Sequence, residues 1–111
     1  GALSVAVQFR ADVKIAFDVP PESFLPRPEV TSSVVIFDIH APKFNVDENF
    51  FKKVVRAAFG QRRKTLLNSL IGAGFNKNSV INSLNFAEIS PERRAETLSI
   101  DEFAKISNFL K

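Results

Sequence analysis

The chain of 111 residues contains no cysteine, methionine, tryptophan or tyrosine. Because cysteine is absent, disulfide frameworks, iron–sulfur clusters, thiolate zinc sites and cysteine nucleophiles are excluded. The chain has a single histidine, His40, so a histidine-rich metal site is excluded too. No apolar run of about 18 residues is present to span a membrane, and the N-terminus lacks the basic start and apolar core of a signal peptide. Together with the missing cysteine, these absences predict a cytoplasmic protein.

The composition is that of a folded globular protein. Hydrophobic residues make up 45% of the chain and charged residues 24%, which excludes a disordered tail. A chain of this length has room for one modest domain or for two small units that share a boundary. Since it starts at Gly1 and contains no methionine, we expect it to be cut from a longer protein.

The positive charge is concentrated in one part of the chain. Residues 49–87 include no acidic residue and seven basic ones, which are Lys52, Lys53, Arg56, Arg62, Arg63, Lys64 and Lys77. The remaining residues hold eight basic and twelve acidic side chains. A cationic block between acidic flanks favours a polyanion, above all nucleic acid, as the partner. Charge alone leaves open that the block is simply a solvated basic helix face.

The first 39 residues are predicted to contain β-structure. Residues 3–10 are consistent with a short helix. In residues 12–19 apolar side chains alternate with polar or small ones, which predicts a half-buried strand, and residues 30–39 predict a second strand. Residues 20–28 hold four prolines, so the connecting loop is expected to be stiff and extended. Because an isolated pair of strands is marginally stable in water, these strands should belong to a larger sheet and expose apolar edges here.

From residue 43 onward the pattern is helical. Asp47 is predicted to cap a helix over residues 48–59, whose apolar stripe leaves Lys52, Lys53 and Arg56 on the other side. Further helices are predicted over residues 61–71, over residues 78–84 after an asparagine cap, and over residues 92–97. Ser99 and Glu102 form a capping box that opens a last helix ending at Leu110.

Three segments of the sequence stand out together. They are FLPRPEVTSSVVIF at residues 24–37, AAFGQRRKTLLNSL at 57–70 and PERRAETLSIDEFAKISNFL at 91–110, and GALSVAVQ precedes them at the N-terminus. In this order and spacing they resemble the small-subunit ribosomal RNA adenine dimethyltransferases. The first segment is shared with the erythromycin-resistance rRNA methylases, whereas FGQRRKTLLNSL followed by RAETLS is more specific to the dimethyltransferases. The resemblance covers essentially the whole chain.

The resemblance implies an architecture and an activity. The family dimethylates two adjacent adenines near the 3′ end of small-subunit rRNA, with S-adenosylmethionine bound to an N-terminal Rossmann-like domain. We therefore expect an α+β fragment: residues 1–39 hold the terminal β-strands of the methyltransferase domain, and residues 43–111 form a small all-helical C-terminal domain that binds rRNA. The implied partner is small-subunit rRNA or the immature small ribosomal subunit, bound by a monomer.

The family's catalytic and cofactor motifs have no counterpart in this sequence. The glycine-rich cofactor loop and the Asn-Leu-Pro-Tyr type motif are missing, and GAGF at residues 72–75 lacks the required spacing. We therefore expect no catalytic, cofactor-binding or metal-binding residue in this chain. Alone, the chain is predicted to be inactive.

Phe24 is the sharpest single candidate for contact with substrate. By resemblance, the aromatic residue at this point of the motif lines the pocket of the target adenine, which must leave its stack to be modified. The stiff loop would hold the ring out at a low entropic cost. The alternative is that the ring packs beneath the strands.

A second candidate set is polar and mostly basic. Arg62, Arg63 and Lys64 follow a glycine and present a compact surface for phosphate, to which Gln61 and Asn68 can add hydrogen bonds. The alternative is that one of the two arginines caps helix carbonyls or pairs with an acid such as Glu96. The full predicted RNA-binding set is Arg27, Lys52, Lys53, Arg56, Gln61, Arg62, Arg63, Lys64 and Asn68. Arg93, Arg94 and Glu96 are predicted to form local structural ion pairs instead.

A function of another class stays open on the sequence alone. A stand-alone basic helical module could bind RNA or DNA without catalysis, and a strand pair followed by helices could also belong to a winged-helix protein. The acid-free residues 49–87 disfavour a protein-interaction domain. These alternatives differ at the N-terminus, because a stand-alone module has no need to expose apolar strands.

Overall fold

The structure is a computed structural model that describes residues 1–23, 26, 32–40, 45–61 and 63–111 of the chain. For Val13, Ile15 and Ser23 it describes the backbone alone. The helices are α1 (Ala2–Gln8), α2 (Glu48–Phe59), α3 (Leu66–Gly72), α4 (Lys77–Phe86) and α5 (Ile100–Leu110), and the strands are β1 (Ala11–Val19) and β2 (Ser32–Ile39). Single turns of 3-10 helix occupy Pro21–Ser23 and Ala95–Thr97. The prediction of an α+β fragment with a small antiparallel sheet is confirmed.

β1 and β2 form a two-stranded antiparallel sheet whose register shifts once, at Ala16. Ile15 pairs with Val35, whereas Phe17 pairs with Val34. Because consecutive residues of β2 point to opposite faces, the bulge places Phe17 on the face opposite to the one that continuous alternation would give it. The single alternating face predicted over residues 12–19 is therefore wrong beyond the bulge.

The sheet carries large apolar side chains that stay exposed. Phe17 and Phe37 are 59% and 57% exposed, and Ile39 is 78% exposed. The exposed apolar side chains of the two strands are Phe17, Val34, Val35, Ile36, Phe37 and Ile39. Since neighbouring residues point to opposite faces, both faces of β2 are bare over residues 34–37. The exposure of apolar strands that the sequence leads us to expect is present in the structure.

The hydrophobic core lies among the helices. α2 contributes the predicted apolar stripe, and its members Phe51, Val54, Val55 and Ala58 are buried. The largest buried apolar residues of α3, α4 and α5 are Leu66, Leu70, Val80, Leu84, Phe103 and Ile106. α1 joins the same core through Val5 and Phe9, and the ring of Phe9 stacks on Phe51 at a centroid distance of 4.7 Å. α1 thus leads into β1 and also packs on α2.

Side-chain caps fix the starts of the helices. The Asp47 carboxylate accepts a hydrogen bond from the Phe50 N–H at 2.9 Å, as its predicted role requires. Asn76 caps α4, so the predicted asparagine cap is confirmed, although the helix runs beyond residues 78–84 to Lys77–Phe86. At α5 the predicted capping box of Ser99 and Glu102 is present in both directions.

The helix predicted over residues 61–71 begins later, at Leu66. The residues before it form a turn in which the Lys64 N–H donates to the Gln61 carbonyl at 3.2 Å. The Thr65 hydroxyl then caps the new helix by accepting from the Asn68 N–H at 3.3 Å. Arg63 and Lys64 therefore lie in a loop and not on a helix.

The helix predicted over residues 92–97 is reduced to the single turn Ala95–Thr97. The carbonyls of Pro91 and Arg93 accept hydrogen bonds from the N–H groups of Leu67 and Leu66, at 3.3 and 2.7 Å. These carbonyls are therefore committed to the start of α3 and do not build a helix of their own segment.

Candidate nucleic-acid interface

α2 separates an apolar side from a basic side. Phe51 and Val55 face the core, and Lys52, Lys53 and Arg56 are half-buried or exposed along the rest of the helix. Lys52 and Arg56 are one turn apart, a rise of about 6 Å along the helix axis. The basic side then continues into the loop that follows Phe59. We call Lys52, Lys53, Arg56, Gln61, Arg63, Lys64 and Asn68 the basic surface.

At the start of α2 the positive charge is partly compensated. Arg10 donates from Nε and Nη2 to the two carboxylate oxygens of Glu48, at 3.0 and 2.8 Å. Lys52 Nζ lies 3.9 Å from Glu48 Oε1. The hydrogen bonds from Arg10, followed by the charges of Arg10 and Lys52, hold the pKa of Glu48 below its usual value despite some desolvation. Glu48 is therefore already bound to Arg10 and neutralises Lys52 only weakly.

Among the described residues, the neighbour of the Lys53 ammonium is an aromatic ring and not a carboxylate. Its Nζ lies 5.6 Å from the ring centroid of Phe75, which packs edge-on against Phe50 at 6.1 Å. A cation–π contact at an exposed site is worth about 0.5–1 kcal/mol and leaves the ammonium charge unneutralised. Lys53 is thus held in place with its charge available to a further anion.

The loop between α2 and α3 exposes polar and basic side chains. Gln61, Arg63 and Lys64 are exposed, and Asn68 is exposed on the first turn of α3. Within the described residues, neither Arg63 nor Lys64 has a carboxylate within 4.0 Å. The pairing of Arg63 with Glu96 that the sequence left open is not found there. Uncompensated cations on an exposed loop can bind phosphate at little cost.

Arg93 has a structural role, as predicted, but its partner is different from the local one expected. Its guanidinium donates to both carboxylate oxygens of Glu102 in α5 and to the carbonyl of Thr97. The hydrogen bond from Arg93 is the main reason that the pKa of Glu102 lies below its usual value. The Glu102 carboxylate also accepts a hydrogen bond from the Ser99 N–H. One carboxylate therefore ties the segment before α5 to the helix itself. The sequence carries no periodic signal for a pair nine positions apart.

The backbone at the start of α3 is not free to bind an anion. Its first two N–H groups donate to Arg93 and Pro91 carbonyls, and the N–H of Asn68 donates to Thr65. Phosphate binding in this part of the chain must therefore come from side chains. That requirement fits the exposed Arg63 and Lys64.

Three of the predicted site residues lie outside the described residues. They are Phe24, Arg27 and Arg62. The adenine pocket at Phe24 and the phosphate contacts of the two arginines stay predictions. The other predicted residues, Lys52, Lys53, Arg56, Gln61, Arg63, Lys64 and Asn68, lie on α2, in the loop that follows it and on the first turn of α3.

The described residues form neither a metal site nor a membrane-spanning helix. Among the described side chains, no group of three or more His, Asp or Glu residues is placed to hold a metal ion. In the same part of the chain, no helix is long and apolar enough to cross a membrane. Guanidinium, ammonium and amide donors without a neighbouring base suit recognition of a phosphate backbone.

Comparison with known proteins places the chain in a family. The family model for ribosomal RNA adenine dimethylase matches residues 1–111. The chain is 49% identical to ribosomal RNA small subunit methyltransferase A of Syntrophotalea carbinolica, covering all of this chain and 43% of that protein. It is 50% identical to the protein of the same name in Desulfitobacterium hafniense, covering 96% of this chain and 39% of the relative. The chain thus spans about two fifths of the length of these curated relatives.

Two solved structures share the fold. A dimethyladenosine transferase from Plasmodium falciparum superposes with a TM-score of 0.74 at 22% identity, over 96% of this chain and 46% of the other. The 23S rRNA methyltransferase ErmE superposes with a TM-score of 0.68 at 16% identity, over 99% of this chain and 46% of the other. At such identities the superpositions show a common fold.

Proposed function

The chain belongs to the ribosomal RNA adenine dimethylase family, whose members are rRNA methyltransferases, and from this we propose that it is the C-terminal part of an rRNA adenine N6-dimethyltransferase. The intact enzyme would dimethylate two adjacent adenines near the 3′ end of small-subunit rRNA. The names of the curated relatives, which specify the small subunit, support this substrate. The intact enzyme would act as a monomer on rRNA or on the immature small subunit.

Within that enzyme, residues 43–111 would form the domain that docks on rRNA. The observation that carries this proposal is that Arg56, Arg63 and Lys64, on α2 and the following loop, are exposed and have no carboxylate partner among the described residues. Structured RNA is recognised largely through its shape and phosphates, and such donors suit that mode. Arg27 and Arg62 are proposed to extend the same surface, and Phe24 to face the target adenine.

The methyl donor would be S-adenosylmethionine, and the residues of this chain do not fit its site. A glycine-rich cofactor loop follows a strand, whereas Gly72 and Gly74 end α3. Gly74 has φ +102°, and the Phe75 N–H beyond it donates to the Leu70 carbonyl at 3.2 Å, which is a helix-ending turn. The cofactor site of the intact enzyme would therefore lie outside this chain, which alone would not methylate RNA.

The exposed sheet supports the assignment of residues 1–39 to the end of a larger domain. Phe17, Phe37 and Ile39 leave apolar surface on strands that a stable sheet would cover. The relatives are more than twice as long as this chain, which leaves room for the remaining strands. A stand-alone nucleic-acid module would have no use for this surface.

The docking proposal is tested by the salt dependence of RNA binding. Each phosphate contact contributes about one unit to the slope of log K against log salt. We expect the double variant Arg63→Ala with Lys64→Ala to lower this slope by about two for an RNA from the 3′ end of small-subunit rRNA. The matched control, Lys14→Ala with Lys105→Ala, removes two exposed cations outside the basic surface and should leave the slope unchanged. An unchanged slope in the first variant would remove the loop from the interface.

A further inference from the structure

A groove runs between α1 and α2. It has a volume of about 350 Å³ and is lined by Ala2, Leu3, Ala6, Phe51, Lys52, Val55 and Arg56. The two helices are held together by the stacking of Phe9, which follows α1, on Phe51 near the start of α2. Ala2 and Ala6 are one turn apart on α1, and their small side chains leave the space that larger residues would fill.

The groove is apolar inside and cationic along one edge. Its accessible apolar floor is formed by Ala2, Leu3 and Ala6 of α1, because Phe51 and Val55 are only 0% and 2% exposed, and Lys52 and Arg56 line the α2 side. Within the described residues, Arg56 has no carboxylate within 4.0 Å. The one carboxylate near Lys52 is Glu48, which already receives two hydrogen bonds from Arg10. α1 itself carries no charged side chain, so nothing on the opposite wall offsets the positive rim.

We propose that this groove binds one unpaired nucleotide of the docked RNA, with the base against the apolar floor and the phosphate on Arg56 and Lys52. The inference rests on the proposed docking function and adds to it a subsite that reads an unpaired base. The volume lies in the range of small-ligand pockets, about 300–1,000 Å³. Lys52 and Arg56 belong to the basic surface, so the strand that enters the groove would be continuous with RNA on the loop.

An unpaired nucleotide fits this groove better than a duplex does. A duplex presents phosphates and sugars outward and keeps its bases stacked inside, so it would leave the apolar floor without a partner. Proteins that bind single strands combine a cationic track for the backbone with apolar or aromatic surface for the bases. The apolar floor at Leu3 and Ala6 and the cation of Arg56 supply those two parts side by side.

The test fills the groove without changing charge. Ala6→Leu places a larger apolar side chain between α1 and α2. Ser4→Leu is the matched control, because Ser4 lies on the same helix but lines a different groove, with Val7 and Phe37. The probes are an unpaired RNA hexamer and the same hexamer with abasic sites.

For the wild-type chain we expect the abasic hexamer to bind about tenfold more weakly than the hexamer with bases, because it lacks the base that would cover the apolar floor. Ala6→Leu should weaken binding of the complete hexamer about tenfold and leave the abasic one unchanged. Ser4→Leu should change neither affinity. Equal binding of both hexamers by the wild-type chain, or no effect of Ala6→Leu on the complete hexamer, would overturn the subsite.

Two further measurements keep the outcome clear. If circular dichroism shows that Ala6→Leu is unfolded, methyl NMR of the wild-type chain with adenosine monophosphate takes its place. Ala2, Ala6 and Val55 methyl signals should then shift, and unshifted signals would refute the groove as a binding site. The variant with Arg63→Ala and Lys64→Ala separates the two proposals: if it weakens both hexamers while Ala6→Leu weakens neither, docking stands and the subsite fails.

Discussion

Phenylalanine side chains contribute to the core among the helices of this protein, whereas the two on its sheet are exposed. Phe51 of α2 is 0% exposed and stacks on Phe9, whereas Phe37 of β2 is 57% exposed. Burying a side chain of this size stabilises a fold by about 1.5–3 kcal/mol relative to leaving it in water. The helices gain that free energy within the described chain, and the sheet does not. The sheet has the composition of a buried element without the neighbours that would bury it.

The charged contacts of the helices are also more favourable than those of the sheet. Across the helices, opposite charges meet: Arg93 pairs with Glu102, and Lys111 Nζ lies 2.6 Å from Asp47. In the sheet, Asp12 and Asp38 stand directly opposite each other on neighbouring strands. Like charges at such positions destabilise strand pairing. The sheet is thus less self-sufficient than the helices in both its apolar and its charged contacts.

The largest expected effect contrasts two phenylalanines. Phe51→Ala should lower the free energy of unfolding by about 3–5 kcal/mol, because it leaves a cavity between α1 and α2. Phe37→Ala should lower it by less than about 0.5 kcal/mol, because more than half of this residue's surface is already exposed. Urea unfolding followed by far-ultraviolet circular dichroism measures both values.

The same pair of variants can also contradict the contrast between a buried helical core and an exposed sheet. A large loss of stability in Phe37→Ala would show that the sheet is covered in solution by a contact absent from the described chain. Joined to the longer protein proposed above, Phe37→Ala should become costly, whereas the cost of Phe51→Ala should stay the same. An equal cost of Phe37→Ala in both contexts would contradict the covering of the sheet by a larger domain.

The parts of the fold that could be predicted depend on local signals. The stripe of α2, its cap at Asp47 and the capping box at Ser99 follow from residues within one or two turns of each other. The late start of α3 could not be predicted, because its first N–H groups bond to carbonyls about 25 residues away, at Pro91 and Arg93. The bulge at Ala16 likewise arises from the pairing of two strands and leaves no sign in the alternation of one.

In the candidate site, too, the features that follow from local signals could be predicted and those that depend on tertiary packing could not. The exposure of Lys52, Arg56 and the loop cations follows from helical periodicity and from the break at Gly60. The groove beside Arg56 could not be predicted, since its other wall is α1, which lies more than 40 residues earlier in the chain. Only tertiary packing places the small side chain of Ala6 opposite a cation of α2.

An intermediate effect is expected where the helices exchange charges. Arg93→Ala should cost about 1–3 kcal/mol in unfolding free energy, because it removes hydrogen bonds to Glu102 and Thr97 from a partly buried site. Arg94→Ala is the matched control: Arg94 is exposed, and the described residues show no side-chain partner for it. Its replacement should change stability by less than about 0.5 kcal/mol. Equal costs would remove the Arg93–Glu102 pair as a source of stability.

Acid should abolish the difference between Arg93→Ala and the wild type. The folded-state pKa of Glu102 is lowered, first by Arg93, so its contribution is fully present above the unfolded-state pKa of about 4.3. It is lost as the pH falls through the lower, folded-state value. Urea unfolding at neutral and acidic pH should therefore show the stability difference shrink below about pH 4. A constant difference would mean that Arg93 acts through its hydrogen bonds to the Thr97 hydroxyl and carbonyl and not through Glu102.

The smallest effects concern two turns that end helices within the stable region. After α3, Gly74 has φ +102°, and after α4, Glu88 takes the same role with φ +57°, its successor Ile89 donating to the Leu84 carbonyl at 2.9 Å. A side chain in this left-handed conformation costs about 1–2 kcal/mol. Gly74→Ala should therefore lower the unfolding free energy by about 1 kcal/mol, and Glu88→Gly should raise it by about 0.5 kcal/mol, since glycine loses more backbone entropy on folding. Thermal unfolding should show a lower Tm for Gly74→Ala and a higher Tm for Glu88→Gly. A fall in Tm for Glu88→Gly would mean that the Glu88 side chain stabilises the turn by more than the backbone strain costs.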